Sequence, residues 1–494
     1  MDAPSVRIIS PAFDLLGEIR NYESLQFTRR FYSVGEFELR ININKANTDA
    51  LQNGNLIMLG KDGKKAGIIR HRENEIDENG DSTDTLIIKG PTLKGICSQR
   101  IIVPPVDGNG YDSFTGPQET IMKHFVDAHC VNPTDSSRKI SQLVIGEDQG
   151  RGASDQWRFR FDNLSDALEQ VGQYAKLGWG VTLDADGKRL VFDVIRGRDL
   201  TAGQDTLPPV IFSTEFSDIK TPHFIQSWIN AATVGYAGGQ GDETDRLIQT
   251  VNYHESGDNQ ISGDPKYWES GHYAPTDGVK ADVSTRIRLK DLIKVDPSTT
   301  YYFNTHNSAY YFVIRSYDSN RAFVSSWGGV GSVLTRTTTQ NEYYLGIAIY
   351  NSGEPGTDTY DGYIAMLQNG TIKPFLCQDS TSGLDRMETF LDCSDAENAA
   401  ELISKGTQKL AESAPVKTFE FSVVHDHPFV YGVDYDLGDT VTARSKKWGL
   451  TMDAQIVELK EIYESGGNSI EVTFGTSIPS LRKFINHKTY KAVN

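Results

Sequence analysis

At 494 residues the chain exceeds what one hydrophobic core can organise, and about three or four domains are expected. Its 38% hydrophobic and 10% aromatic content excludes a disordered polymer, and a net charge of −17 argues against stable nucleic-acid binding, which needs cationic surface to displace counterions. No stretch offers the ~20 apolar residues of a membrane span, and MDAPSVRIIS lacks the basic and apolar segments of a secretory signal, so synthesis in a cytoplasm is expected.

Forty-five glycines with 22 tyrosines and 22 phenylalanines favour a mainly β chain with tight turns and some α+β content. Over residues 1–105, Phe37, Leu39, Ile41 and Ile43 alternate with polar residues, the period of a half-buried strand. Residues 56–59 and 66–69 flank Lys61-Asp62-Gly63-Lys64, a hairpin whose Asp-Gly is expected to supply positive φ. With a further strand at 86–89, this region reads as a small β-barrel or sandwich, taken as a first barrel.

Residues 106–205 read as α/β. Ile121, Met122, Phe125 and Val126 share a helical face that Asn132-Pro133 ends. A second helix starts near Asn163 with Leu164, Leu168, Val171 and Ala175 inward, and Gly178 fits the position just past its end. Asp184-Ala185-Asp186-Gly187 lacks the distal acidic residue of a calcium loop, since Ile195 stands there, and reads as a plain hairpin turn between strands at 181–183 and 190–194.

Residues 206–255 with 381–414 read as a connecting segment with one helix. Ser394 and Glu397 have capping-box spacing, and Ala396, Ala400, Ile403 and Leu410 form the expected buried stripe. Residues 415–485 carry a strand series (419–423, 440–442, 454–459, 470–474) and read as a second small β-barrel. Between the halves, residues 256–380 are crowded with aromatics, lack helical periodicity and show turns such as Asn369-Gly370, which predicts an inserted all-β sandwich.

Chemistry-bearing motifs are sparse. No GxSxG elbow or framed cysteine nucleophile occurs, and Cys97, Cys130, Cys377 and Cys393 stand apart, as buried reduced thiols would. His425-Asp426-His427 reads as a solvated loop, because neighbours on a strand point to opposite faces. Gly238–Gly241 and Gly328–Gly331 lack the Lys-Ser/Thr of a phosphate loop. No catalytic, metal or cofactor site is therefore expected, although carboxylate pairs for glycoside hydrolysis are not legible in sequence.

Six motifs stand in order along the chain: GRDLT (197–201), PVIFSTEFSDI (209–219) and VGYAGGQGDE (234–243) before residues 256–380, then GLDRMETFLD (383–392), YDLGDTV (435–441) and VTFG (472–475) after them. In that order they resemble the siphophage tail-tip baseplate hub family, the N-terminal hub part of tail-associated lysins. The resemblance implies a homotrimer at the virion tail tip, made in the host cytoplasm, whose two barrels per subunit form a ring of six. That ring would dock on the hexameric distal tail protein, close the tube, and open for tape-measure protein and DNA.

The end of the sequence, LRKFINHKTYKAVN, follows soon after the second expected barrel, so no lysin domain is expected beyond it. The guest resembles carbohydrate-binding-like sandwiches of phage tail proteins. That resemblance makes Trp268, Tyr273, Tyr310 and Trp327 candidates for stacking on host cell-wall polysaccharide. Two alternatives stay open: an adhesin for which the barrels are only a mount, and a cell-wall hydrolase of unrecognised type. Arg386, Glu388 and Asp392 are expected to pair or cap rather than catalyse.

Overall fold

A computed structural model describes residues 3–475 except 77–81, 107–109, 205, 214, 216–218, 242, 255–258, 328–330, 354–357, 369–370, 382, 395, 397, 424–427 and 448–449. The expected Asn369-Gly370 turn, residues 328–330 of the second glycine-rich run, Glu397, His425-Asp426-His427 and the terminal residues 481–494 lie outside the described residues. The chain divides into two compact units, Met1–Trp228 with Val416–Asn494, and Ile229–Pro415.

In the first unit, Leu25 and Phe27 on strand Ser24–Arg30 face Leu39 and Phe37 on strand Glu36–Asn42, as alternation dictates. The other edge of Ser24–Arg30 pairs with strand Leu450–Glu464, Leu25 opposite Tyr463. That long strand also pairs with Gly467–Gly475 and Thr440–Ser445. Strands from both expected barrels thus belong to one 11-stranded sheet, while Leu56–Leu59 and Ala66–Ile68 lie in a separate four-stranded sheet, and no barrel closes among the described residues.

Each half nonetheless has its own core. Val6, Ile8, Ile57 and Leu59 of a four-stranded sheet pack with Phe27, Leu39 and Ile88, whereas Phe419, Phe421, Val472 and Phe474 pack around Phe212. Phe212 lies 5.0 Å from Phe421 and 5.6 Å from Phe474, ring contacts worth about 1 kcal/mol each beyond their buried area.

A third core in this unit is the α/β part. Helix α1 (Gln118–Val126) and helix α2 (Leu164–Ala175) pack with strands Gly178–Asp184 and Arg189–Ile195 around Phe125, Leu168, Trp179 and Phe192. Asn163 caps α2, its Oδ1 accepting from the Ser165 N–H at 3.0 Å. Lys176, at φ 56°, ends the helix in place of Gly178. Gly178 opens the next strand, where any side chain would strike the Phe31 ring. Similarly, Gly63 does not have positive φ; Gly60 does, at 59°. Gly63 is required because a Cβ there would collide with the Leu183 carbonyl.

In the second unit, strand Val234–Gly238 pairs antiparallel with Ile248–Asn252 and parallel with Glu388–Asp392. Val234 is opposite both Asn252 and Glu388, so the chain departs and returns on either side of one strand, about 10 Å apart. Helix α3 (Tyr360–Gln368) lies within this excursion, where sequence periodicity predicts none; only Tyr363 and Leu367 are buried on it.

Helix α4 (Ala399–Ala411) covers the three-stranded sheet with Leu402, Gly406 and Leu410. Ile403, expected inside, is 45% exposed. Asn398, not Ser394, is the cap, accepting from the Glu401 N–H at 3.0 Å. The excursion itself holds a six-stranded and a three-stranded sheet that share one core, with Phe312, Ile347 and Ile349 from the first and Tyr301, Phe303 and Leu376 from the second.

Candidate functional site

Four of the six motifs meet in pairs. In the first unit, Asp199 and Leu200 of GRDLT run parallel beside Thr440 and Val441 of YDLGDTV. Residues Ile211–Ser213 continue along the same strand opposite Thr442–Arg444. Gly438, at φ 94°, lets the backbone approach Gly197 and the ring of Phe31, and a side chain at either glycine would collide. VTFG closes the core, with Val472 opposite Phe421 and Phe474 opposite Phe419.

Asp439, 3% exposed, ties this joint together. Its carboxylate accepts from the backbone N–H groups of Arg198 and Asp436, both at 2.8 Å, and from Arg198 Nη2 at 2.6 Å. Hydrogen bonding to Asp439 is the main reason the Arg198 pKa stands above its ordinary value. Arg198 also donates to the Val433 and Asp434 carbonyls, both at 3.2 Å. These residues could be quoted from sequence as motif members, but their 241-residue separation hid what they do.

A second polar network joins the first strands to the last. Glu461 is fully buried, with Lys65 Nζ 2.8 Å from Oε1 and the hydroxyls of Tyr431 and Tyr463 donating at 2.7 and 2.5 Å. Arg29 Nη2 donates to Asp436 at 2.5 Å. Burial works against the Asp436 carboxylate, but the Arg29 charge outweighs it and leaves the pKa below the usual carboxylate value. These bonds tie the first strands to the last, although the buried Arg29 Nε has no hydrogen-bond partner among the described residues.

In the second unit, VGYAGGQGDE and GLDRMETFLD form the parallel pair around Val234. Arg386 Nε donates to Glu388 at 2.5 Å and its Nη2 to the Tyr236 hydroxyl at 2.9 Å, and Arg246 pairs with Asp392 at 2.7 Å. The pairing roles expected for Arg386, Glu388 and Asp392 are therefore seen in the geometry.

The four aromatic candidates are interior residues. Trp268 is 0%, Tyr273 2%, Tyr310 6% and Trp327 3% exposed, and no sugar ring reaches their faces without displacing the core. Their polar tips are also engaged: Trp268 Nε1 donates to Ser262 O at 2.8 Å, Tyr273 to Leu289 O at 2.7 Å, Tyr310 to Asp358 at 3.1 Å and Trp327 to Glu342 at 2.9 Å. Stacking by these four is corrected accordingly. Aromatic density indicates a core, and sequence does not mark which faces the two sheets cover.

One cluster escaped the sequence reading. The Asp112 carboxylate bonds His124 Nε2 at 3.0 Å and His129 Nε2 at 2.8 Å, on α1 and the turn that extends it. Burial opposes its charge, yet the two imidazoles hold its pKa well below the usual range. No group of three or more metal-ligating side chains with the arrangement of a metal site occurs among the described residues.

Comparison with known proteins gives a family match over residues 5–476, to the family described as Siphovirus ReqiPepy6 Gp37-like protein. No curated protein matches. Similar solved structures include the 43 kDa tail protein of prophage MuSo2 from Shewanella oneidensis, at 10% identity over 95% of this chain and 98% of that one, TM-score 0.44. A tail protein from Neisseria meningitidis MC58 is 11% identical over 96% of both chains, TM-score 0.45. Prophage tail protein gp18 from Listeria monocytogenes EGD-e is 11% identical over 99% of this chain and 100% of that one, TM-score 0.40.

Proposed function

The chain belongs to the Siphovirus ReqiPepy6 Gp37-like family, and on that footing we propose that it is a structural protein of the virion tail, a trimeric hub closing the distal end of the tube. The observation that carries this reading is the pairing of strands Ser24–Arg30 and Leu450–Glu464, which makes one body from both ends of the sequence. Two β-cores in that body support a ring of six similar units from three subunits. Such a ring would match a sixfold distal tail protein and admit tape-measure protein and DNA when opened.

The role is non-enzymatic in this reading. Ring contacts that last for the life of a virion call for more than ~2,000 Å² of buried surface, as in other obligate interfaces. Residues 256–380 would touch host cell-wall polysaccharide, three weak sites acting by avidity. Gold-labelled antibody against the chain tests the placement on intact virions. Label confined to the distal tip is expected; label along the tube or at the head would overturn it.

A further inference from the structure

One face of the six-stranded sheet carries three guanidinium groups, two of them without acidic partners among the described residues. Alternation puts Tyr311, Val313 and Arg315 of strand Tyr310–Tyr317 on that face, with Gly346, Ala348 and Tyr350 directly opposite on Tyr344–Asn351. Arg286, one residue before the Ile287–Ile349 pair, lays its guanidinium 5.1 Å from the centre of the Tyr350 ring. Tyr311 meets Tyr350 edge to face at 6.1 Å, and both rings are half-buried.

The guanidinia on this face differ in one respect. Arg288 is neutralised by Glu269 and Asp282, both at 2.8 Å. Arg315 is only 6% exposed and has no carboxylate; Nε donates to Ala274 O at 3.2 Å, Nη1 to Ile314 O at 2.9 Å, and Nη2 has no partner among the described residues. The Arg286 guanidinium likewise has neither hydrogen bond nor ion pair among the described residues, and rests on the Tyr350 ring. His272 stands with them, its buried Nδ1 without a hydrogen-bond partner.

Burial first, then the charges of Arg286, Arg315 and Arg288, lowers the His272 pKa. Burial, with Arg286 a smaller contributor, also lowers that of Arg315. An unpaired buried guanidinium is costly, and in a chain of net charge −17 the lack of an acid beside this one calls for an explanation.

We propose that Arg286 and Arg315, with His272 beside them and Tyr311 at the edge, form a site for an acidic saccharide, its phosphate or carboxylate held by the guanidinia and its apolar side against Tyr311. Forked N–H donors match either anion, and tyrosine faces match the apolar side of a pyranose. The proposal rests on the cell-wall reading above, and narrows it from glycans in general to charged ones. It also moves the contact from the four buried aromatics to the arginines, beside Tyr273, whose ring covers Gly346 on the same face.

The test uses the full chain, wild type and Arg286→Gln, Arg315→Gln and Tyr311→Ala, with four probes: polyglycerol phosphate, polygalacturonate, neutral dextran and inorganic phosphate. Because Arg286 and Tyr311 are partly exposed, their variants should fold even if Arg315→Gln does not. The expected result is binding to at least one acidic polymer, none to dextran, and about tenfold weaker binding on losing Arg286. Preference between the two polymers identifies the anion as phosphate or carboxylate.

Polymer binding that no variant weakens would overturn the site while leaving glycan contact standing. Binding of phosphate alone would overturn the saccharide assignment. Failure of every probe would overturn both.

Discussion

Arg198 Nη2 lies 2.6 Å from Asp439 Oδ2, although the whole second unit separates the two residues in sequence. The pair is more than a surface ion bridge, because the same carboxylate satisfies two backbone N–H groups in a buried turn. Asp439→Ala should therefore lower unfolding free energy by about 3 kcal/mol, the cost of orphaning buried donors, while Arg198→Ala, at a half-exposed side chain, should cost about 1 kcal/mol. Denaturant titration of the two variants measures both; equal small losses would contradict the assigned asymmetry.

Gly438 tests the close approach on which that turn depends. An alanine there would combine positive φ with a collision against Phe31, and a loss of about 3 kcal/mol or failure to fold is expected. Gly432 has φ 81° with open space around it, so Gly432→Ala should cost only about 1 kcal/mol. Thermal melts of the two variants should separate clearly.

Lys94 gives a pH signature. Burial is the main cause that brings its pKa down to about 7, while its ammonium donates to the Arg30, Phe31 and Ser33 carbonyls and faces Trp179 at 4.5 Å. Between the folded value and the ordinary lysine value, the unfolded chain binds the proton and the folded chain does not. Stability should then rise from about pH 7 toward pH 10, by at most ~1.4 kcal/mol per unit. Lys94→Met should be less stable, because three carbonyls lose their donor, yet show a flatter slope over this range. Parallel slopes would show that Lys94 stays charged throughout.

Removal of residues 256–380 separates the hub reading from the adhesin reading. Asn252 and Glu388 flank Val234, so a short Gly-Ser linker can bridge the gap left by the excursion. The shortened protein should fold, and phage carrying it should still assemble tails while adsorbing less to cells. Loss of tail assembly would show that the excursion is part of the framework. Zymography of the full protein on cell walls should show no clearing; a cleared band would favour the hydrolase alternative.

Local structure was legible where alternation or capping spoke directly: Phe37, Leu39 and Ile41 are buried as their spacing requires, and Asn163 caps α2. Turn chemistry was less legible. Lys176 takes the left-handed position expected of Gly178, because Gly178 is needed beneath Phe31. The two-barrel reading located two cores but not the sheet they share, since the partner of Ser24 is Glu464 and no local pattern encodes that pairing.

At the candidate sites, the motifs marked segments that the structure brings together, as Asp199 with Thr440 and Val234 with Glu388, but their order did not encode the pairing. It could not reveal that Trp268 and Trp327 lie inside, nor that Arg315 is buried without an acid. Both facts depend on which sheet faces become covered, and strand sequences rich in aromatics on both sides leave that open.

Sedimentation equilibrium of the purified full chain, across its soluble concentration range, tests the hub proposal most directly. A single species of three times the chain mass, persisting on dilution, is the predicted result. A monomer at the highest concentration reached would contradict the ring and the function drawn from it.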